Sequence, residues 1–313
     1  MGIKDYNTRR MKAAFLYDEI FLKHETPQWH PENKERLISI VKGLNVSSLW
    51  DRLAHVGFEK AGFEDVLLVH TREYAERLRV FKEGYIDPDT YVSGRSVEVA
   101  LCAVGALKKA VDLCKDGMIR RVFCAVRPPG HHAEADRAMG FCIFNNVAIA
   151  ARYAQRSGFK KVMIVDFDVH HGNGTQHIFE DDDSVFYFST HQYPHYPGTG
   201  SESEKGRGKG EGYTRNFPMT PGSGDREYLH IYNDILPELV EGFSPNIIIV
   251  SAGYDIRSED PLSSIRVSGD GIRGIVRSIL HHNLPVIFSL EGGYDLKALA
   301  DSVLITIEEM LKD

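Results

Sequence analysis

Apolar residues gather into short unbroken runs: KAAFLY (12–17), VLLVH (66–70), RVFCAV (121–126), KVMIVDFDV (161–169), SVFYFST (184–190), NIIIVSAG (246–253) and PVIFSLEGG (285–293). Most lack the in–out alternation of a half-exposed strand, which predicts strands buried on both faces, as in a parallel sheet. Between them lie segments with apolar residues at three-to-four spacing, the mark of helices with one buried face. EVALCAVGALKKAVDLC (98–114) carries lysines on its other face, and NNVAIAARYAQRSG (145–158) ends on Gly158 as a C-cap. EYLHIYNDILPELVEGF (227–243) follows Asp225 as N-cap and holds Pro237 where it would kink the helix. DGIRGIVRSILHHN (270–283) and DLKALADSVLITIEEML (295–311) complete the set. Strand and helix alternate, so the expected fold class is α/β, doubly wound around a mostly parallel sheet. Residues 11–313 read as a single domain, 1–10 as a flexible N-terminal extension, and the Gly- and charge-rich stretch 198–212 as a long internal loop.

Composition narrows the partners. Of 313 residues, 42% are apolar and 26% charged, which is globular rather than disordered. The net charge of −7 argues against nucleic acid as the main partner, because phosphate binding needs a basic face. No apolar run reaches membrane-spanning length and no secretory leader is evident, so no membrane partner is expected. Cys102, Cys114, Cys124 and Cys142 form no CxxC pair or zinc-finger spacing. They read as small buried residues in a reducing compartment, which makes the cytoplasm the expected location. Oligomeric state is not legible.

In doubly wound folds, ligands bind beyond the carboxyl ends of the strands. There the chain places RPPGHH (127–132), DFDVHHGNGTQH (166–177), THQYPHYPGTG (190–200), YD (254–255) and EGGYD (291–295), so five runs empty His, Asp, Tyr and Gly at one rim. Along an extended DFDVH, Asp166, Asp168 and His170 point to one side. Asp168 and His170, joined by Asp255 from a later strand end, make an O/N/O set that suits Zn²⁺ or Fe²⁺ and leaves a position open for water. That set needs neither His131 nor His132, which frees both imidazoles for general acid–base work. Each needs an orienting partner, and Asp166 and Asn173 are available. A carboxylate raises imidazole basicity more than an amide does, so the two histidines are expected to differ in protonation. Gly292 and Gly293 permit a tight turn before Tyr294, whose hydroxyl can donate to an oxyanion. Taken singly, each feature has a structural reading: a loop cap, a polar surface pair, a rim aromatic. Their coincidence at several strand ends is what points to catalysis.

RPPGHHAEADRAMGFCIFNNVAIAA, VDFDVHHGNGTQHIF, STHQYPHYPGTG, SAGYD and LEGGYD resemble the zinc-dependent histone deacetylase superfamily, which includes acetylpolyamine amidohydrolases and acetoin-utilisation proteins. HPENKERL (30–37) is similar to its HPExxxR segment, and Asn173 in HGNGTQ resembles the class II branch. The resemblance runs from about Ala13 to the C-terminus. It implies an arginase/deacetylase-like fold with an eight-stranded sheet, and one Zn²⁺ per chain on Asp168, His170 and Asp255. It makes His132 the main general base and acid, His131 with Asp166 an electrostatic helper, and Tyr294 the group that polarises the acyl carbonyl. It places Gly140 and Phe141 on one wall of a narrow acyl-lysine tunnel, Tyr196 on the other, and Asp89 at the rim, with Arg36 facing an internal cavity. It further implies K⁺ at Asp166, Asp168, His170, Ser189 and Thr190, partly through backbone carbonyls. A second cation would sit at Phe179, Asp182, Val185 and Tyr213.

The activity implied is amide hydrolysis of acyl-lysine in a protein or peptide, or of an acetylated small amine. An acetylpolyamine amidohydrolase is the nearest alternative, although no long insertion separates Tyr74 from Gly94. An arginase-like binuclear manganese hydrolase needs further carboxylates and a histidine. A catalytically silent acyl-lysine binding module would not need all six polar residues.

Overall fold

The computed structural model describes residues 11–312; the expected extension, 1–10, lies outside the described residues. Ten strands are β1 Ala13–Leu16, β2 Ala54–His55, β3 Gly84–Tyr85, β4 Tyr91–Val92, β5 Arg121–Cys124, β6 Val162–Asp166, β7 Val185–Gln192, β8 Thr214–Met219, β9 Ile247–Ala252 and β10 Val286–Leu290. Eight form one sheet in the order β2-β1-β5-β10-β9-β6-β7-β8, with every neighbouring pair parallel, while β3 and β4 make a small antiparallel pair. Every residue of β1, β6, β7, β9 and β10 is buried, as unbroken apolar runs require when both sheet faces are covered.

The covering helices include α1 Glu35–Val46, α2 Arg72–Val80, α3 Ser96–Lys115, α4 Asn146–Arg156, α5 Asn173–Phe179, α6 Asp225–His230, α7 Leu236–Phe243, α8 Gly269–His281 and α9 Leu296–Met310. α3 packs on α4, whereas α9 packs on α1 and α8. Gly158 follows the α4 cap at φ +110°, the left-handed stop its position suggests.

Three local expectations are corrected. VLLVH (66–70) is no strand: it closes a single helical turn, Phe63–Val66, and its apolar residues join a second core with Tyr74, Leu78 and Phe144. A short apolar run fits a buried helical turn as well as a strand. Gly224, not Asp225, caps α6; the Asp225 carboxylate instead accepts from Ser268 N at 2.7 Å and Ser268 Oγ at 2.6 Å. Between α6 and α7 the chain widens into a π turn, Ile231–Ile235, so the irregularity falls ahead of Pro237. Proline has no N–H to continue the preceding ladder, and the turn absorbs that break.

Strand order positions the site. β5 and β6 follow one another in sequence but are separated in the sheet by β10 and β9. The paired positions Val122, Ile287, Ile249 and Ile164 run straight across these four central strands. Their carboxyl ends therefore open together, at the crevice where such sheets bind ligands.

Candidate active site

The tandem histidines leave β5, Tyr294 leaves β10, Asp255 leaves β9, and Asp166, Asp168 and His170 leave β6. β6 stops at Asp166; the expected extended DFDVH instead bends after it. The bend lets Asp166 Oδ1 accept from Asp168 N at 3.1 Å and Asp168 Oδ1 accept from His170 N at 2.9 Å. These contacts aim the side chains more tightly than strand alternation would.

Asp168, His170 and Asp255 are brought together, one ligand atom from each lying within 4.8 Å of the others. His170 Nδ1 sits 3.1 Å from Asp168 Oδ1 and 3.2 Å from Asp255 Oδ2. Asp255 Oδ1 accepts from Val169 N at 2.8 Å, but Asp255 Oδ2 is buried without a hydrogen bond. Burial, then the neighbouring Asp168 charge, pushes the Asp255 carboxyl up to about 7. A buried carboxylate oxygen without a partner, facing a second carboxylate and an imidazole, is the donor set a divalent cation satisfies. Gly292 N–H donates to Asp168 Oδ2 at 2.8 Å. A Cβ on Gly292 would stand 2.1 Å from Asp255 Oδ2, so only glycine lets β10 approach the cluster this closely.

The histidines differ as their partners predict. His131 Nδ1 lies 3.0 Å from Asp166 Oδ2, which also accepts from Tyr187 Oη at 3.1 Å. Burial alone would lower His131; Asp166 and Asp168 overcome it and raise it to about 10. His132 Nδ1 lies 2.8 Å from Asn173 Oδ1. Burial, then the charges of His131 and His170, hold His132 well below the usual imidazole range. The pair thus offers one cation and one free base.

Tyr294, Phe141, Gly140, Tyr196, Asp89, Gly292, His131, His132 and His170 line one cavity of about 80 Å³, with Pro129 and Leu262. That is far below the roughly 300–1,000 Å³ of pockets for drug-sized ligands, so a thin unbranched chain fits best. Tyr196 stands edge-on to His132 with centroids 5.1 Å apart, and Phe141 edge-on to Tyr294 at 6.1 Å. Burial pushes the Tyr294 hydroxyl well above its usual range, which keeps it a donor. Asp89 Oδ1 accepts from Gly140 N at 3.1 Å, and His30 Nε2 lies 3.0 Å from Asp89 O. Gly293 lies beyond this lining; its carbonyl accepts from Arg36 Nε at 2.7 Å.

Arg36 is buried among partners: the Gly293 and Glu291 carbonyls, Glu32 Oε1 at 3.1 Å, and the Tyr294 ring at 5.1 Å. Ser189 Oγ pairs with His191 Nδ1 at 2.8 Å and Thr190 Oγ1 with Tyr232 Oη at 3.0 Å. At the expected second cation position, Asp182 is already salt-bridged to Arg152, Asp182 N donates to Phe179 O at 2.9 Å, and Tyr213 O accepts from Tyr187 N at 2.8 Å. Val185 opens β7 beside them.

Four residues escaped the sequence reading. Glu291 Oε2 accepts from Gly130 N at 2.6 Å and His131 N at 3.3 Å, and so pins the turn that carries both histidines. Asp260 Oδ2 accepts from Tyr294 N at 2.6 Å. Glu134 Oε1 accepts from Asn173 Nδ2 at 2.6 Å. Leu262 adds an apolar patch to the cavity. Glu134 and Glu291 fall inside motifs the sequence singles out, but nothing local marks which acid folds back.

Among the described residues, no helix is long and apolar enough to cross a membrane. Residues 30–310 match a family described as histone deacetylase domain. A probable deacetylase of Archaeoglobus fulgidus is 39% identical over 296 residues, covering 92% of this chain and 82% of that protein. A probable deacetylase of Methanothermobacter thermautotrophicus is 46% identical over 280 residues, covering 87% and 83%. The crystal structure of the HDA15 HD domain has a TM-score of 0.92 at 36% identity, covering 96% of this chain and 91% of that one. The family match spans the ends of β5, β6, β9 and β10 that build the site, and the chain belongs to the histone deacetylase family.

Proposed function

We propose that residues 11–313 act as one deacetylase domain, a zinc-dependent amidohydrolase that removes acetyl groups from acyl-lysine in proteins or peptides. The observation that carries this reading is the unequal histidine pair beside a cation-seeking Asp/His/Asp cluster, at the foot of a cavity only about 80 Å³ in volume. Zn²⁺ held by Asp168, His170 and Asp255 would supply a Lewis acid for the acyl oxygen and lower the pKa of water towards about 7. Fe²⁺ suits the same donors.

Phe141, Gly140 and Tyr196 guide the acyl chain inward, and Asp89 meets the substrate backbone at the rim. His132 donates from Nδ1 to Asn173, which leaves Nε2 to take the proton of the attacking water. Tyr294 donates to the acyl oxygen as that atom gains charge. His132 then returns the proton to the leaving amine, giving a free amine and acetate. His131 stays protonated against Asp166 and stabilises the negative charge nearby.

The same reading assigns K⁺ to Asp166, Asp168, His170, Ser189 and Thr190, and a second cation to the Phe179, Asp182, Val185 and Tyr213 region, where main-chain oxygens would serve because Asp182 is engaged by Arg152. Four buried free thiols fit a cytoplasmic protein. Among the described residues one cluster of metal-ligating side chains converges, which disfavours a binuclear manganese hydrolase. A silent binding module has no use for the two distinct histidine partners. The test is kcat/KM for acetyl-lysine peptides against acetylated polyamines, with a hydroxamate control. Preference for peptides supports the reading; preference for polyamines overturns the substrate assignment.

A further inference from the structure

His132 can act as a base at Nε2 only if its ring proton sits on Nδ1. That tautomer is set by whichever atom of Asn173 faces it, and an amide presents oxygen or NH₂ after a half-turn. Asn173 Oδ1 faces His132 Nδ1 at 2.8 Å. Asn173 Nδ2 faces Glu134 Oε1 at 2.6 Å, with His132 O and Met139 Sδ each at 3.3 Å. A carboxylate can only accept. Turning the amide would bring oxygen against oxygen at that short distance and would set NH₂ against His132 Nδ1. The ring proton would then move to Nε2, the nitrogen that must be free.

Glu134 is itself held. It is 5% exposed, and its Oε1 lies 2.9 Å from His177 Nδ1 and 3.5 Å from Arg137 Nη2. Asn173 and His177 are four residues apart on α5, so both reach the same carboxylate from one helix face. We propose that Glu134 is a positioning residue for proton transfer: it locks the Asn173 amide and thereby fixes the His132 tautomer. Its catalytic consequence rests on the deacetylase reading above; the tautomer does not.

The test uses zinc-loaded full-length protein with ¹⁵N-labelled histidine, the His132 resonances being assigned by their loss in His132→Ala. Wild type should show a proton on Nδ1 and a bare Nε2. Glu134→Gln keeps an oxygen for Asn173 and should keep that pattern; Glu134→Ala should shift it towards the other tautomer. On acetyl-lysine peptides, Glu134→Ala should lower kcat about 10–100-fold while KM stays within about twofold. Asn173→Asp, which opposes two carboxylates, should be impaired, and adding Glu134→Gln should restore about tenfold or more. Wild-type ring shifts in Glu134→Ala overturn the proposal, as does a double variant worse than Asn173→Asp alone. Should Glu134→Ala fail to fold, that double-variant comparison decides. If wild type turns over no acyl-lysine, the deacetylase reading fails and the ring spectra still decide the role of Glu134.

Discussion

Gly140→Ala should displace His132, the base of the proposed reaction. Gly140 has φ +57°, and an added Cβ would lie 2.4 Å from His132 Cδ2 and 2.7 Å from Cγ. Carbon atoms pack at about 3.5–4.0 Å, so the ring must retreat by roughly 1 Å. It cannot do so freely, because Nδ1 is tied to Asn173 at 2.8 Å and Tyr196 stands edge-on to the ring. Holding alanine in the left-handed region adds about 1–2 kcal/mol of strain. Added to the roughly 1–3 kcal/mol that overpacking costs, this should destabilise the fold by about 2–5 kcal/mol. A displacement of that size at a catalytic group should lower kcat by on the order of 100-fold. The assay pairs urea unfolding with kcat and KM on an acetyl-lysine peptide. A folded Gly140→Ala enzyme with wild-type kcat would refute the placement of His132 as the base.

Other consequences follow from buried groups. Tyr294→Phe should cost about 10²–10³ in kcat with little change in stability, measured by steady-state kinetics and thermal melting; retained turnover would remove Tyr294 from the reaction. Glu32 sits between Arg127 and Arg36, at 2.8 Å and 3.1 Å, so Glu32→Ala leaves two buried cations uncompensated and should cost about 3–5 kcal/mol by chemical unfolding. Burial lowers His70 and His191 to about 4 each. Asn145 N donates to His70 Nε2 at 2.9 Å, which requires that nitrogen bare, while at His191 burial outweighs the Gly200 carbonyl, 2.8 Å from Nε2, which favours the charged ring. Because the unfolded chain takes up these protons first, near pH 6.5, stability is full above that pH and falls as pH drops towards 4. The loss is at most on the order of 3 kcal/mol per histidine. Urea titrations of wild type and His70→Gln should show a shallower acid slope in the variant; equal slopes would refute the assignment.

The centre of the fold was legible because its strands are buried on both faces and read as unbroken apolar runs. β8, TRNFPM, was not: it lies at the sheet edge, half its residues reach solvent, and Pro218 argues locally against a strand. α5 was hidden by its GNG opening, which reads as a turn although Asn173 and Gly174 are buried in it. The convergence of the candidate site residues was legible for a topological reason. In a parallel sheet, chemistry-bearing residues collect just after apolar runs, so Asp168, His170, Asp255, His131, His132 and Tyr294 could be gathered without knowing strand order. The residues that hold them were not legible. Glu291 reaches the histidine turn only because β10 lies beside β5, and Asp260 reaches Tyr294 across a loop. Those placements depend on long-range strand order, which leaves no local pattern.

The most direct measurement is acetate released from an acetyl-lysine peptide by zinc-loaded wild type and by Asp255→Asn, prepared alike. Asp255 contributes the buried oxygen that lacks a hydrogen bond, so its loss should abolish zinc binding at the proposed site. Wild type should release acetate and deacetylated peptide in equal amounts, and Asp255→Asn none above background. No acetate from zinc-loaded wild type, or equal release by the two proteins, would contradict it.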